Sequence, residues 1–248
     1  MSKLLSDLGI IPQLQLALAD LEISIATDIQ EQVIPIILNK TEDIVALAKT
    51  GTGKTAAFGL PLLQMVDLKN ENIQTVILSP TRELSQQIYN NFLGFSKHLP
   101  GVSIVLLTGG SPIKSQIEEL KSITHIVVAT PGRFLDLLEK NALDIKSLKN
   151  LVLDEADEMF QALKEDLLPI LKAMPKNRRT LLFSATMPGE LKEIVHNYMS
   201  KNVISVSSEM ATMAHEGINH QYMVVDPIEK LDVLLHFLST QEGGRGII

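Results

Sequence analysis

Two strings about a hundred residues apart carry the side chains that phosphate chemistry needs: Ala48-Lys49-Thr50-Gly51-Thr52-Gly53-Lys54-Thr55, and Asp154-Glu155-Ala156-Asp157 directly after the apolar run Leu151-Val152-Leu153. In the first, Gly51 and Gly53 let the backbone turn successive N–H groups inward, and Lys54-Thr55 opens a helix whose N-terminus favours an anion. The string follows the phosphate-loop pattern, with Ala48 where the pattern has its first glycine. Lys54 is expected to reach the β- and γ-phosphates of a nucleotide, and Thr55 to set its hydroxyl on magnesium. In the second, Asp154 is expected to hold the magnesium, and Glu155 to orient or deprotonate the attacking water. Consecutive side chains at a strand's end point differently, so adjacent carboxylates can take separate roles. Taken singly, the first string is also a glycine turn before an ordinary helix and the second a solvated acidic turn. Together they read as an ATP hydrolysis site with Mg2+, in which Lys54, Asp154 and Glu155 act on the phosphates.

The elements that must position these residues are legible as an alternation. Short β-rich apolar runs occur at Asp43–Leu47, Thr75–Leu78, Val102–Leu107, His125–Ala129, Asn150–Leu153 and Thr180–Phe183. Helical patterns lie between them at Lys54–Asp67, Arg82–Lys97, Pro112–Leu120, Gly132–Glu139, Glu165–Met174 and Pro188–Tyr198. This predicts an α/β fold with a mainly parallel sheet covered by helices on both faces. Ligands in such sheets collect at the carboxyl ends of the strands, where both strings begin. After Ile204-Ser205-Val206 the chain turns small and polar, and 208–217 is expected to be a linker. A further strand at His220–Val225, a helix at Pro227–Leu238 and a glycine-rich turn at Gly243–Ile248 suggest that 218–248 begins a second α/β unit.

The 248 residues, 45% of them hydrophobic, suffice for one full core and a remainder. There is no cysteine, which excludes disulfides and thiolate metal sites and fits a cytoplasmic setting. The stretch Met1–Asp7 lacks the apolar core of a signal peptide, and runs such as Val33–Leu38 are too short to span a bilayer, so no membrane association is expected. A formal charge of −7 argues against gripping nucleic acid by a bulk positive field; such binding must come from local contacts.

Four further strings complete a resemblance: Pro80-Thr81-Arg82-Glu83-Leu84, Gly109-Gly110, Thr130-Pro131-Gly132-Arg133 and Ser184-Ala185-Thr186. With the two nucleotide strings, in this order, residues 5–248 resemble a DEAD-box RNA helicase. The resemblance implies a RecA-like first domain at 1–207, the linker at 208–217 and a partial second RecA-like domain at 218–248. It implies ATP binding through the loop Ala48, Lys49, Thr50, Gly51, Thr52, Gly53, Lys54 and Thr55, hydrolysis, and local separation of RNA duplexes. It further implies that Pro80, Thr81, Arg82, Glu83, Gly109, Gly110, Thr130, Pro131, Gly132 and Arg133 touch a single RNA strand. Arginines, hydroxyls and backbone N–H groups at strand ends bind phosphates without reading bases, so that partner is met without sequence preference. Arg82 and Arg133 also have the reading of capping or salt-bridge residues. Ser184 and Thr186, hydrogen-bonded to Asp157, would couple nucleotide state to strand separation; a turn capping the helix after Pro188 is the alternative.

Two departures stand out. Ala26-Thr27-Asp28-Ile29-Gln30 replaces the family's usual Pro-Thr-Pro-Ile-Gln, although Gln30 keeps the donor–acceptor pair that suits an adenine edge. The upstream aromatic expected to stack on the base aligns with Leu5, which predicts weaker preference for ATP over GTP. The arginine fingers, worth about 10³–10⁵ in rate, have no counterpart before Ile248, so this stretch alone is expected to bind nucleotide but not unwind. An RNA- or protein-binding clamp, and a different P-loop ATPase or small-molecule kinase, are the competing functions.

Overall fold

A computed structural model describes residues 3–208 and 223–240. Its first elements are a 3-10 turn at Leu5–Leu8 and the helices α1 (Pro12–Asp20) and α2 (Asp28–Asn39). Strands and helices then alternate: β1 (Ile44–Leu47), α3 (Lys54–Gln64), β2 (Thr75–Leu78), α4 (Arg82–Phe95), β3 (Ile104–Leu107), α5 (Ile113–Glu119), β4 (Ile126–Ala129), α6 (Pro131–Glu139) and β5 (Asn150–Leu153). Two helices in succession, α7 (Ala156–Ala162) and α8 (Lys164–Ala173), lead to β6 (Arg179–Ser184), α9 (Gly189–Tyr198) and β7 (Ile204–Ser207).

The seven strands form one sheet in the order β3-β4-β2-β5-β6-β1-β7, and every pairing is parallel. Parallel neighbours need helical crossovers, so both faces are covered and the strands read as continuous apolar runs. The two-residue period of a strand divides the buried side chains between the faces. On one, Ala46, Ile77, Val128, Val152 and Phe183 pack with Phe58 and Phe92; Phe58 lies 5.0 Å from Phe183 and 6.1 Å from Phe92, centroid to centroid. On the other, Val45, Leu78, Val127, Leu153 and Leu182 pack under Phe134, Met159 and Leu167. The register sets Leu153 opposite both Leu78 and Leu182, so β2 and β5 end level while β6 runs two residues further, to Ser184 opposite Leu47 of β1.

The expected α/β sheet is present with shifted boundaries. Ser103 starts no strand: it supplies its N–H to His125 Nδ1 and its carbonyl to the N–H groups of His125 and Ile126. The helix expected to reach Lys97 tightens at Ser96–His98 into a 3-10 turn. Residues 213–248 form a compact unit separate from 1–212. Within it, 227–229 form a turn and α10 spans Lys230–Thr240. Of the strand expected at His220–Val225, residues 223–225 are not strand and the others lie outside the described residues, as do 209–217 of the linker and Gly243–Ile248.

Candidate nucleotide and strand site

The phosphate-loop string runs from the carboxyl end of β1 into α3. Ala48 is fully buried, and its N–H donates to the Ser184 carbonyl at 3.0 Å, so the first-glycine position is the root that ties the loop to β6. Gly51 and Gly53 sit at φ 84° and 88°, left-handed values that L side chains rarely adopt. Thr52 Oγ1 donates to the Lys49 carbonyl at 2.7 Å, which tightens the turn. Lys54 is the first residue of α3 and Thr55 the second; Thr55 is half-buried.

Lys54 is 5% exposed, Asp154 2% and Glu155 5%. The Lys54 ammonium lies 2.9 Å from Glu155 Oε1 and 4.0 Å from Asp154 Oδ1. Beyond these two carboxylates, no further acceptor meets the buried ammonium among the described residues. Thr50 Oγ1 donates to the same Glu155 Oε1 at 2.8 Å. Glu155 itself adopts φ 50°, ψ 53°, an uncommon conformation for a residue with a side chain, at the turn from β5 into α7. Burial pushes the Asp154 carboxyl up to about 6; Lys54 draws it down and Glu155 drives it up. A buried ammonium beside a carboxyl whose ionisation burial disfavours fits a triphosphate and a divalent cation, which would supply opposite charge to each.

Asp157, Ser184 and Thr186 come together. The Asp157 N–H donates to Ser184 Oγ at 3.2 Å, and Ser184 Oγ–H donates to the Thr186 carbonyl at 2.7 Å. Thr186 returns both its N–H (2.9 Å) and its Oγ–H (2.6 Å) to Asp157 Oδ2. Burial works against ionisation of Asp157, but the bonds from Thr186 and Ser184 outweigh it and hold the carboxyl below its ordinary range. Asp157 Oδ1 is buried without a partner among the described residues.

Gln30 is spent inside the fold. Its Oε1 accepts from the Thr27 N–H at 2.9 Å, capping α2, and its Nε2 donates to the Gly53 carbonyl at 3.0 Å. An adenine edge would have to exchange with these two bonds. Leu5, where a stacking aromatic was expected, is 1% exposed and packs in the core. A larger ring at that position would meet core neighbours.

A groove of about 470 Å³ opens at the carboxyl ends of the strands, lined by Pro80, Thr81, Arg82, Glu83, Gly109, Thr130, Gly132 and Arg133 together with Asp136, Leu163 and Asp166. Of the strand-contacting set, Gly110 is beside it, with the Arg82 guanidinium near enough that a Cβ would meet NH1 at 2.9 Å, and Pro131 is buried in the first turn of α6. Arg82 is exposed and has no hydrogen bond or ion pair among the described residues. Arg133 is engaged within the fold: NH1 donates to Gln116 Oε1 at 2.6 Å, NH1 and NH2 both donate to the Ser111 carbonyl at 3.1 Å, and Nε lies 3.9 Å from Asp136. Sequence reasoning missed Asp136, Leu163, Asp166 and the role of Thr50. Only Asp136, three residues from Arg133 on α6, had a local signal.

A family model described as DEAD/DEAH box helicase matches residues 27–194. The ATP-dependent RNA helicase CshA of Limosilactobacillus reuteri is 41% identical, the match covering 98% of this chain and 48% of the relative. The ATP-dependent RNA helicase DeaD of Escherichia coli is 39% identical over 98% of this chain and 38% of its own length. The chain thus spans about half, or less, of the relatives it matches. Among solved structures, a DEAD box protein from the hyperthermophile Methanococcus jannaschii superposes with a TM-score of 0.80 at 35% identity, covering 98% of this chain and 65% of that one. A variant of S. cerevisiae Dbp5 bound to RNA and ADP BeF3 gives 0.73 at 29% identity, over 80% and 50%. With the phosphate loop, the acidic strand end and the Ser184 link joined at one sheet edge, the chain belongs to the DEAD/DEAH box helicase family.

Proposed function

We propose that this chain carries the nucleotide-binding half of an ATP-dependent RNA helicase core, which binds a single RNA strand through its backbone and couples ATP hydrolysis to local duplex separation. The observation that carries this reading is the convergence, at one end of a parallel sheet, of the Lys54 loop with Asp154-Glu155 and, alongside, a groove bearing the unpaired Arg82.

In this reading the backbone N–H groups of 49–54 and the Lys54 ammonium receive the phosphates, and Gln30 receives the adenine. Thr55 and Asp154 would hold Mg2+, which when bound neutralises charge on the phosphate oxygens. Thr50 and Lys54 share Glu155 Oε1 in the nucleotide-free protein. Phosphates that draw Lys54 toward themselves would leave Glu155 Oε1 with the Thr50 hydroxyl as its remaining donor, and the carboxylate able to take the proton of a water. Asp157, Ser184 and Thr186 link this centre to β6, and Pro80–Glu83, Gly109-Gly110 and Thr130–Arg133 present the strand-binding face, with Arg82 its available cation.

Lys54→Ala removes a charge-assisted contact of about 1.5–3 kcal/mol. Calorimetry should show MgATP binding roughly one to two orders of magnitude weaker, with the thermal melt confirming an intact fold. Equal affinity in a folded variant would end the assignment. Phosphate release by the full-length protein should rise on adding single-stranded RNA; indifference to RNA would overturn the coupling of hydrolysis to a strand.

A further inference from the structure

The strand groove is not uniformly attractive. Arg82 stands on one wall, its guanidinium lying over Gly109 and Gly110 so closely that a Cβ on either would meet it at 2.8–2.9 Å. On the other wall, Asp166 of α8 lays its carboxylate against Gly132, where a Cβ would meet Oδ2 at 3.1 Å. Glycine on both walls lets each charged head come down to the backbone. Lys164, on the same helix, pairs with Glu190 at 3.4 Å, and Asp166 has no cation within ion-pair distance among the described residues. Counting lining residues, the groove holds three carboxylates (Glu83, Asp136, Asp166) against two arginines. One of those, Arg133, is already engaged by Ser111, Gln116 and Asp136.

From this placement we propose that Asp166 is a repulsive gate in the strand groove: a carboxylate with no ion-pair partner among the described residues that holds down the affinity for a phosphodiester backbone and so sets how readily the strand is released. The proposal deepens the RNA-binding reading and rests on it. A like charge several ångströms from a phosphate in a half-exposed groove changes an association constant by about three- to tenfold. The gate differs from a negative net charge because it acts from one wall, beside Gly132, where the strand must pass.

The test uses the 248-residue chain and labelled single-stranded oligouridine, followed by fluorescence anisotropy at several salt concentrations, with thermal melts to confirm folding. Asp166→Asn should tighten binding about three- to tenfold and steepen the salt dependence by up to about 0.7 in log–log slope. Asp166→Glu, which keeps the charge, should stay close to the parent. Glu165→Gln makes the same charge change on the same helix outside the groove and should shift affinity less than twofold. Arg82→Gln should weaken binding; if it does not, the groove is not the strand site and the underlying reading fails. If Arg82→Gln weakens binding while Asp166→Asn leaves it unchanged, the gate alone is overturned. If Asp166→Asn weakens binding, the carboxylate accepts from a ribose hydroxyl, and the gate is again overturned.

Discussion

Asp154 pays for its position before any nucleotide arrives. Its carboxyl is raised to about 6 because burial disfavours the charged form, with Lys54 offsetting part of that and Glu155 adding to it. The native state therefore holds this proton more tightly than the unfolded chain does. Its contribution favours folding below the unfolded value near 3.9 and turns progressively unfavourable as pH rises to about 6. Asp154→Asn should accordingly stabilise the nucleotide-free protein at pH 8, by up to about 3 kcal/mol, and change little at pH 4.5. Denaturant titrations at the two pH values check this, and an equal gain at both would exclude burial of the charge as the cause. Lys54, Asp154 and Glu155 were legible because each lies in a short string whose chemistry depends on its immediate neighbours. The tie of Arg133 was not, since Ser111 and Gln116 are 22 and 17 residues away and only the fold brings them near.

At the scale of elements, Arg179 and Asp43 brace the end of the sheet remote from the phosphate loop. Arg179, the first residue of β6 and 7% exposed, donates to the carbonyls of Ile36 and Ile37 in the last turn of α2 and, at 2.7 Å, to that of Glu42. A cation at the carbonyls of a helix end satisfies acceptors and the macrodipole together. Asp43 receives the N–H of Thr180 and the N–H of Ser200, both at 2.6 Å. Arg179→Met should cost about 2–4 kcal/mol, seen as a lowered denaturation midpoint; a loss below 0.5 kcal/mol would mean that water replaces the bonds. Nothing in the sequence around 179 announces this brace, because its partners are 137–143 residues distant. The alternation of strands and helices was legible because four-residue apolar runs such as Ile126–Ala129 suit strands buried on both faces. α7 is not legible in the same way, because the chain enters Ala156–Ala162 through the left-handed Glu155, a turn that no residue-type rule anticipates.

Across the molecule, a charge of −7 and a groove with a single unengaged arginine make strand binding a local affair. On single strands the logarithmic salt slope is about −0.7 per phosphate neutralised, so with Arg82, and at most Arg133, engaged the slope should fall between about −0.7 and −1.4. Anisotropy titrations against salt measure it directly, and a slope steeper than about −3 would require cations outside this groove. The Ser184 carbonyl anchors the root of the phosphate loop at Ala48, while its hydroxyl anchors the turn at Asp157 and the backbone of Thr186. Loop and turn therefore share a single rivet, and neither can drift without pulling on the other. A wedge no bigger than a methyl group, driven in beside that rivet, would shift the root of the phosphate loop and the acidic turn at one stroke.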